Sequence, residues 1–391
     1  MKKRVAIYLA GVKDISGGGG AERFFADFFE KYGHYKKAKF EVYFFCDKST
    51  YVALRKVNKL PRLMKNVVLL WNISNRFKTQ IENLDFSRKL KKFNIDIVHC
   101  ANFGAYDFDR LYHIAQKRKN NSPKLILNVV DCQVPHVLED KNSNLLKNYR
   151  TRYIDLPNKI GFDGVYSWYE LFLNYFKEKK HYQENTVFGN IQSRFADTSK
   201  FKPASQKKNT IAFASRLHRQ KRPDWFLKAI KELYDRKVTE LDHWKFLLIG
   251  GGELKEEMSQ FITNNNLAGV VEMSECGDLS TIYPETSCYV STQDFENFPS
   301  LSMMEAMACG NAVIARNVGQ TNLMVKNGVN GLVLKEDSYQ GLTNTLEEYI
   351  IMSSDDRKQM QQNSIRLVEE VHTEKNFFRQ IELFWNQVIQ K

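Results

Sequence analysis

Cysteine is scarce and scattered in this 391-residue chain. Its six residues, Cys46, Cys100, Cys132, Cys276, Cys288 and Cys309, never come close enough to form a CxxC pair. That excludes a dense disulfide frame or a zinc motif and reads as reduced, mostly core thiols of a cytoplasmic protein. No apolar run approaches the ~20 residues of a membrane span, and residues 1–30 lack a secretory pattern. Low-complexity tracts and short repeats are absent, and His and Cys show no metal-ligand spacing. Acidic residues are missing locally: between Lys48 and Ile81 there are eight basic residues and no acidic one. Residues 1–200 hold 36 Lys and Arg against 20 Asp and Glu, so the whole of the net charge of +13 resides in the first half. Such a face suits a polyanion or an anionic membrane surface.

What is present is globular: 43% hydrophobic and 26% charged residues, in a length that fits two domains of ordinary size. Apolar runs alternate with helical patterns throughout. Strands are expected at Val5–Ala10, Phe40–Phe45, Val67–Trp71, Ile95–Cys100, Leu125–Val130 and Val165–Ser167. A polar break, "SRFADTSKFKPASQKKNT", follows. The alternation restarts at Ile211–Ala214, then Phe246–Gly250, Val270–Met273, Cys288–Ser291, Ala312–Ala315 and Leu332–Leu334. Strands separated by helices imply parallel sheets covered on both faces, here twice, so the fold class is α/β with two doubly wound halves. In such folds ligands sit at the carboxyl ends of strands.

Three loops after strands stand out. In "GVKDISGGGGAERFF", Gly17 to Gly20 open a helix whose Phe24, Phe25, Phe28 and Phe29 share a face. The glycines suit either a phosphate-approaching loop or a plain surface turn, and match neither a dinucleotide fingerprint nor a P-loop. In "IAFASRLHRQKRPDWFLKAI", Arg216 and Lys221 stand just past a strand. They suit a diphosphate, or are simply solvated. In "QDFENFPSLSMMEAMACG", Glu296 lies in the loop and a helix spans Leu301 to about Met307. The amides of Ser300, Leu301 and Ser302 offer an anion site, and Glu305 is an acceptor for hydroxyls such as a ribose diol.

Taken in order, "GGAER" at Gly19–Arg23, "FDGVYSWYE", "SRLHRQKRPDWFLKAI", "FLLIGGGEL", "ENFPSLSMMEAMACGNAVIA" and "VGQTNLMVKNGVNGLVL" resemble the retaining, nucleotide-sugar-dependent glycosyltransferases of family 4. The resemblance covers nearly the whole chain. It implies the GT-B fold, with two Rossmann-like domains facing each other across a cleft. An acceptor-binding domain would span residues 1–198 and a donor-binding domain 199–374, with the helix at 375–391 crossing back. That helix carries an apolar stripe of Phe377, Phe378, Ile381, Phe384, Trp385 and Val388.

The resemblance also implies roles. Arg216 and Lys221 would neutralise the donor diphosphate, and Glu305 would take the ribose hydroxyls. Ser300, Leu301 and Ser302 would hold a phosphate through their amides, Glu296 would meet the donor sugar, and Gly19 and Gly20 would approach the phosphates. Glu296, Asp131, Arg216 and Lys221 form the implied catalytic set. The donor would be a UDP- or GDP-linked hexose or N-acetylhexosamine, with no cofactor and no metal. The acceptor would be a glycan or lipid-linked saccharide of bacterial cell-surface synthesis, met at the inner face of the cell membrane. Two departures stand out. Eight residues rather than seven separate Glu296 from Glu305, which makes Asp294 a rival, and Val130 stands where the family has a histidine before Asp131. His99 and His136 lie after neighbouring strands. The departures motivate an alternative, a binding partner that has lost its chemistry. Nucleic acid is not expected, since no interleaved basic and aromatic module occurs. Residues 50–65, "TYVALRKVNKLPRLMK", mix basic and apolar side chains suited to anionic lipid.

Overall fold

All strand pairings among the described residues are parallel, and they fall into two sheets. The computed structural model describes residues 2–13, 20–56, 66–72, 78–191 and 194–391. Contacts divide the chain into one unit of Met1–Gln192 with Phe378–Lys391, and another of Ser193–Phe377.

The first unit holds β1 (Lys3–Tyr8), β2 (Phe40–Asp47), β3 (Val67–Leu70), β4 (Ile97–Cys100), β5 (Lys124–Val129), β6 (Gly164–Ser167) and β7 (Val187–Asn190). They are ordered β3-β2-β1-β4-β5-β6-β7. Its helices are α1 (Gly20–Gly33), α2 (Lys48–Lys56), α3 (Lys78–Lys92), α4 (Ala105–Gln116), α5 (Val134–Glu139), α6 (Leu146–Arg150), α7 (Leu156–Ile160) and α8 (Glu170–Glu178). Central strands are buried on both faces, which is why Val5 to Tyr8 and Leu125 to Leu127 read as unbroken apolar runs. Between α6 and α7 the helix widens into a π turn at Thr151–Asp155. Pro157 there has no N–H to offer Tyr153, whose carbonyl accepts the Tyr182 hydroxyl at 2.6 Å instead.

The second unit holds β8 (Thr210–Ala214), β9 (Lys245–Ile249), β10 (Val271–Ser274), β11 (Cys288–Ser291), β12 (Ala312–Ala315) and β13 (Gly331–Val333), ordered β10-β9-β8-β11-β12-β13. Its helices are α9 (Pro223–Asp235), α10 (Lys255–Asn264), α11 (Leu301–Ala308), α12 (Tyr339–Ile351) and α13 (Ser354–Glu370). Strand order reverses between β8 and β11, so the loops leaving these neighbours part and open a crevice at their carboxyl ends. Arg194 donates to the Pro299 carbonyl at 3.2 Å and Phe195 meets Phe377 edge-on, so this unit begins ahead of its first strand.

The last helix, α14 (Glu374–Gln390), buries all six residues of its apolar stripe. Within the first unit Phe378 and Trp385 pack on Phe28 and Tyr32 of α1. The Tyr32 hydroxyl donates to Glu382 at 2.5 Å. Phe384 lies against β6 and β7, where a Cβ on Gly189 would come within 2.5 Å of its ring. Trp385 Nε1 donates to His99 Nδ1 at 3.2 Å.

Candidate functional site

At the switch point of the second unit, three loops are bound together around the end of β8. The Ala214 carbonyl accepts from the Ser302 hydroxyl at 3.2 Å and from the Tyr289 hydroxyl at 3.3 Å. Arg216 follows two residues later, between neighbours fixed by the loop after β9. Ser215 N–H donates to Ile249 at 3.0 Å, Leu217 N–H to Gly251 at 2.9 Å, and Leu254 N–H to Leu217 at 3.0 Å. The clamp is close enough to require glycine. A Cβ on Gly250 would lie 1.9 Å from the Ser215 oxygen, and one on Gly252 2.5 Å from that of Leu217. Arg216 is thereby held at a fixed point with its side chain exposed, and its guanidinium has no partner among the described residues.

Lys221 ends a short 3-10 turn, Arg219–Lys221, and is half-buried. Its Nζ donates to Gln293, and the Gln293 amide donates to Asn297 Oδ1 at 3.1 Å. Asn297 is fully buried and saturated: it also accepts from Ser291 at 2.7 Å and donates to the Arg316 carbonyl and the Thr321 hydroxyl. One side chain therefore ties the loop after β11 to the loop after β12 and to Lys221. Neither Gln293 nor Asn297 attracts notice in the sequence, where they are single polar residues near a turn.

Helix α11 starts at Leu301, and Ser300 is its N-cap, its hydroxyl accepting from Met303 N–H at 3.3 Å. The Ser300 amide, expected to meet a phosphate, instead donates to the Asn297 carbonyl at 2.9 Å, whereas the amides of Leu301 and Ser302 have no acceptor among the described residues. The Ser302 hydroxyl is spent on Ala214 and Tyr283, so only its amide is left for a ligand. Glu305 lies one turn in, half-buried beneath this open end.

Glu296 accepts through Oε1 from Phe298 N–H at 2.9 Å and Gln320 N–H at 2.7 Å. Its Oε2 has no partner among the described residues. Burial pushes the carboxyl up to about 7, against the opposing pull of these amides. Asp294 is paired with cations instead. Arg222 holds it at 2.9 Å and Arg316 at 2.6 Å, while Arg316 also grips Asp337 with two nitrogens and lies 4.6 Å over the Trp225 ring. That ion network braces the loops after β8, β11, β12 and β13, with both guanidinium groups meeting Asp294 at Oδ1.

The first unit gathers a different set. Asp131, past β5, accepts from the Tyr149 hydroxyl at 2.7 Å and from Gln133 N–H at 3.0 Å. Val130 supplies its carbonyl to the Tyr169 hydroxyl at 3.4 Å. His99 is fully buried in an aromatic cluster with Phe25, Tyr166 and Trp385, and burial lowers it to about 3, so it is a neutral core residue. His136 is exposed on α5. Glu22 accepts from Asn102 at 2.8 Å, and Asn102 accepts from Arg152 at 2.9 Å, a chain at the carboxyl end of β4 that sequence reading missed. Gly20 opens α1, whereas Gly19 and residues 57–65 of the basic segment lie outside the described residues. One Asp-x-Asp sequence, Asp107-Phe108-Asp109, occurs within α4, with Asp107 buried on Gly104 N–H at 2.9 Å. No group of three or more His, Cys, Asp or Glu among the described residues is arranged to hold a metal.

Residues 195–367 match the family model described as glycosyl transferases group 1. Among curated proteins, the UDP-N-acetylglucosamine–peptide N-acetylglucosaminyltransferase GtfA subunit of Streptococcus pneumoniae is 28% identical over 151 residues, 38% of this chain and 28% of that protein. The UDP-Gal:alpha-D-GlcNAc-diphosphoundecaprenol alpha-1,3-galactosyltransferase of Escherichia coli is 26% identical over 165 residues, 38% of this chain and 42% of that protein. This chain thus spans under half the length of these curated relatives. Among solved structures, Anabaena HepE in complex with UDP and glucose aligns with TM-score 0.70 at 16% identity, covering 99% of this chain and 100% of that one. Pneumococcal GtfA in complex with UDP and GlcNAc aligns with TM-score 0.69 at 14% identity, covering 100% of both. The fold is GT-B: two α/β units with parallel sheets of seven and six strands.

Proposed function

We propose that this chain is a glycosyltransferase that moves a sugar from a nucleoside diphosphate sugar to a glycan or lipid-linked saccharide. The observation that carries the reading is the crevice after β8 and β11. There a clamped, exposed Arg216 stands with Lys221 beside an open helix end, with two half-buried carboxylates at hand. Two cations and free amides suit a diphosphate, while carboxylates suit hydroxyl groups. A nucleotide sugar combines these chemistries in one molecule. The group 1 family match across this unit supports the same reading.

In the mechanism proposed, the bond between the anomeric carbon and the diphosphate oxygen breaks as the acceptor hydroxyl bonds to that carbon on the same face. The acceptor's proton passes to the departing phosphate oxygen. Arg216, Lys221 and the Leu301 and Ser302 amides stabilise the charge that grows on the leaving group, so the chemistry needs no divalent metal. Glu305 takes the ribose hydroxyls and Glu296 the transferred sugar. Asp131, held by the Tyr149 hydroxyl, is the first unit's candidate for receiving the acceptor. The names of the relatives make UDP-linked galactose and N-acetylglucosamine the first donors to try, ahead of GDP-linked sugars. For a lipid-linked acceptor, the first unit would dock on the inner face of the membrane through its basic surface, where Val52 and Trp71 are 43% and 53% exposed.

Thermal shift with UDP, UDP-galactose, UDP-N-acetylglucosamine and GDP-mannose tests the donor grip. Arg216→Ala leaves the melting temperature of the free protein unchanged, because the side chain has no partner to lose. It weakens nucleotide affinity by roughly ten- to a hundredfold, the scale of a charged hydrogen bond of about 1.5–3 kcal/mol. Unaltered affinity in this variant contradicts the assignment.

A further inference from the structure

The Glu296 carboxylate occupies a space that exists because position 319 has no side chain. Gly319 has φ +53°, and a Cβ built there would lie 2.3 Å from Glu296 Oε2 and 2.7 Å from Oε1. The next amide, Gln320 N–H, is the donor that holds Oε1 at 2.7 Å. The loop itself is fixed: the Thr321 hydroxyl sits 3.0 Å from the Arg316 carbonyl, and saturated Asn297 joins it to the loop after β11. Backbone on both sides of Gly319 cannot yield, whereas Glu296 is a side chain and can swing away.

We propose that Gly319 is a positioning residue: by lacking a Cβ it seats the Glu296 carboxylate with Oε1 on two amides and Oε2 presented to a hydroxyl of the transferred sugar. The inference rests on the donor reading above and adds what sets the angle and selectivity of that contact. A carboxylate oxygen is an acceptor only, so the group it meets must be a donor, a sugar hydroxyl or an amide N–H. An oxygen already held by two amides cannot turn toward the sugar, which leaves one acceptor in one direction. Such a seat discriminates a sugar presenting a donor from an analogue lacking it, because the unmet oxygen would remain desolvated.

Gly319→Ala tests this. The variant folds, since the left-handed backbone strain is small and the clashing atoms can leave. Hydrogen exchange of the Phe298 and Gln320 amides reads the seat without any ligand. It speeds up in Gly319→Ala to the level seen in Glu296→Ala, and Glu296→Ala/Gly319→Ala is no faster than Glu296→Ala alone. With ligands, UDP affinity stays within about twofold. The gain in affinity of UDP-galactose or UDP-N-acetylglucosamine over UDP falls roughly tenfold or more, equally in both single variants. Unchanged exchange in Gly319→Ala, a further increase in the double variant, or a retained sugar increment overturns the proposal. If the wild type binds neither UDP nor its sugars, the donor reading fails, while the exchange measurements still decide the seat.

Discussion

Glu296 and Asp294 stand two residues apart on one loop and are opposite in character. Asp294 meets two guanidinium groups through Oδ1, so it braces the loop. Glu296 has only amides as partners, and burial raises it to about 7. A carboxyl raised on folding favours the native state while protonated. Its stabilising contribution is full below its unfolded value and is lost as pH rises through about 7. Donor binding runs the other way, because a sugar hydroxyl donates to the ionised form. The affinity gain of a nucleotide sugar over the free nucleotide should therefore rise between about pH 6 and 8, and be flat in Glu296→Gln. A flat profile in the wild type removes Glu296 from the sugar contact. The sequence shows both carboxylates but not which one is paired with cations, because Arg222 and Arg316 reach Asp294 from loops 72 and 22 residues away.

At the scale of elements, α9 and α14 show what could be read in advance and what could not. Helix α9 begins at Pro223 and ends at Asp235 as its pattern implies, since proline suits the first turn and the apolar spacing is regular. The stripe of α14 was equally legible, though not its seat. Gly164 and Gly189 leave the hollow that Phe384 enters, and neither glycine signals a helix contact by itself. Strand β7 escaped because it is four residues long, half-buried, and contains that same glycine. His99, expected just after a strand, lies within β4, and Trp385 from the far end of the chain helps to make it core. Trp385→Ala should lower unfolding free energy by about 3–5 kcal/mol in urea titration. The loss combines a cavity beside α1 with the removal of the indole donor to His99. A change below about 1 kcal/mol would mean that α14 does not support the first unit.

The whole molecule divides its charge as it divides its fold: the basic excess belongs to residues 1–200, and the second unit supplies the crevice. No helix among the described residues is long and apolar enough to cross a membrane. The candidate lipid-facing residues are Val52, exposed beside Arg55 and Lys56, and Trp71, exposed with Lys89 5.8 Å from its ring. Sedimentation with anionic vesicles in low salt, lost in high salt and absent with neutral vesicles, is the expected result, since each basic residue contributes roughly 1 kcal/mol near an anionic leaflet. Equal binding to both vesicle types, or to neither, leaves the charge without a membrane role. The central claim is that the crevice grips a nucleotide sugar and activates its anomeric bond. Its most direct test is release of UDP from UDP-galactose and UDP-N-acetylglucosamine, followed over hours with purified protein and no acceptor. Slow release by the wild type, abolished in Arg216→Ala and Lys221→Ala, is the predicted outcome. Tight binding of the nucleotide sugars without release, even when saccharide acceptors are added, would show a binding protein and contradict the account.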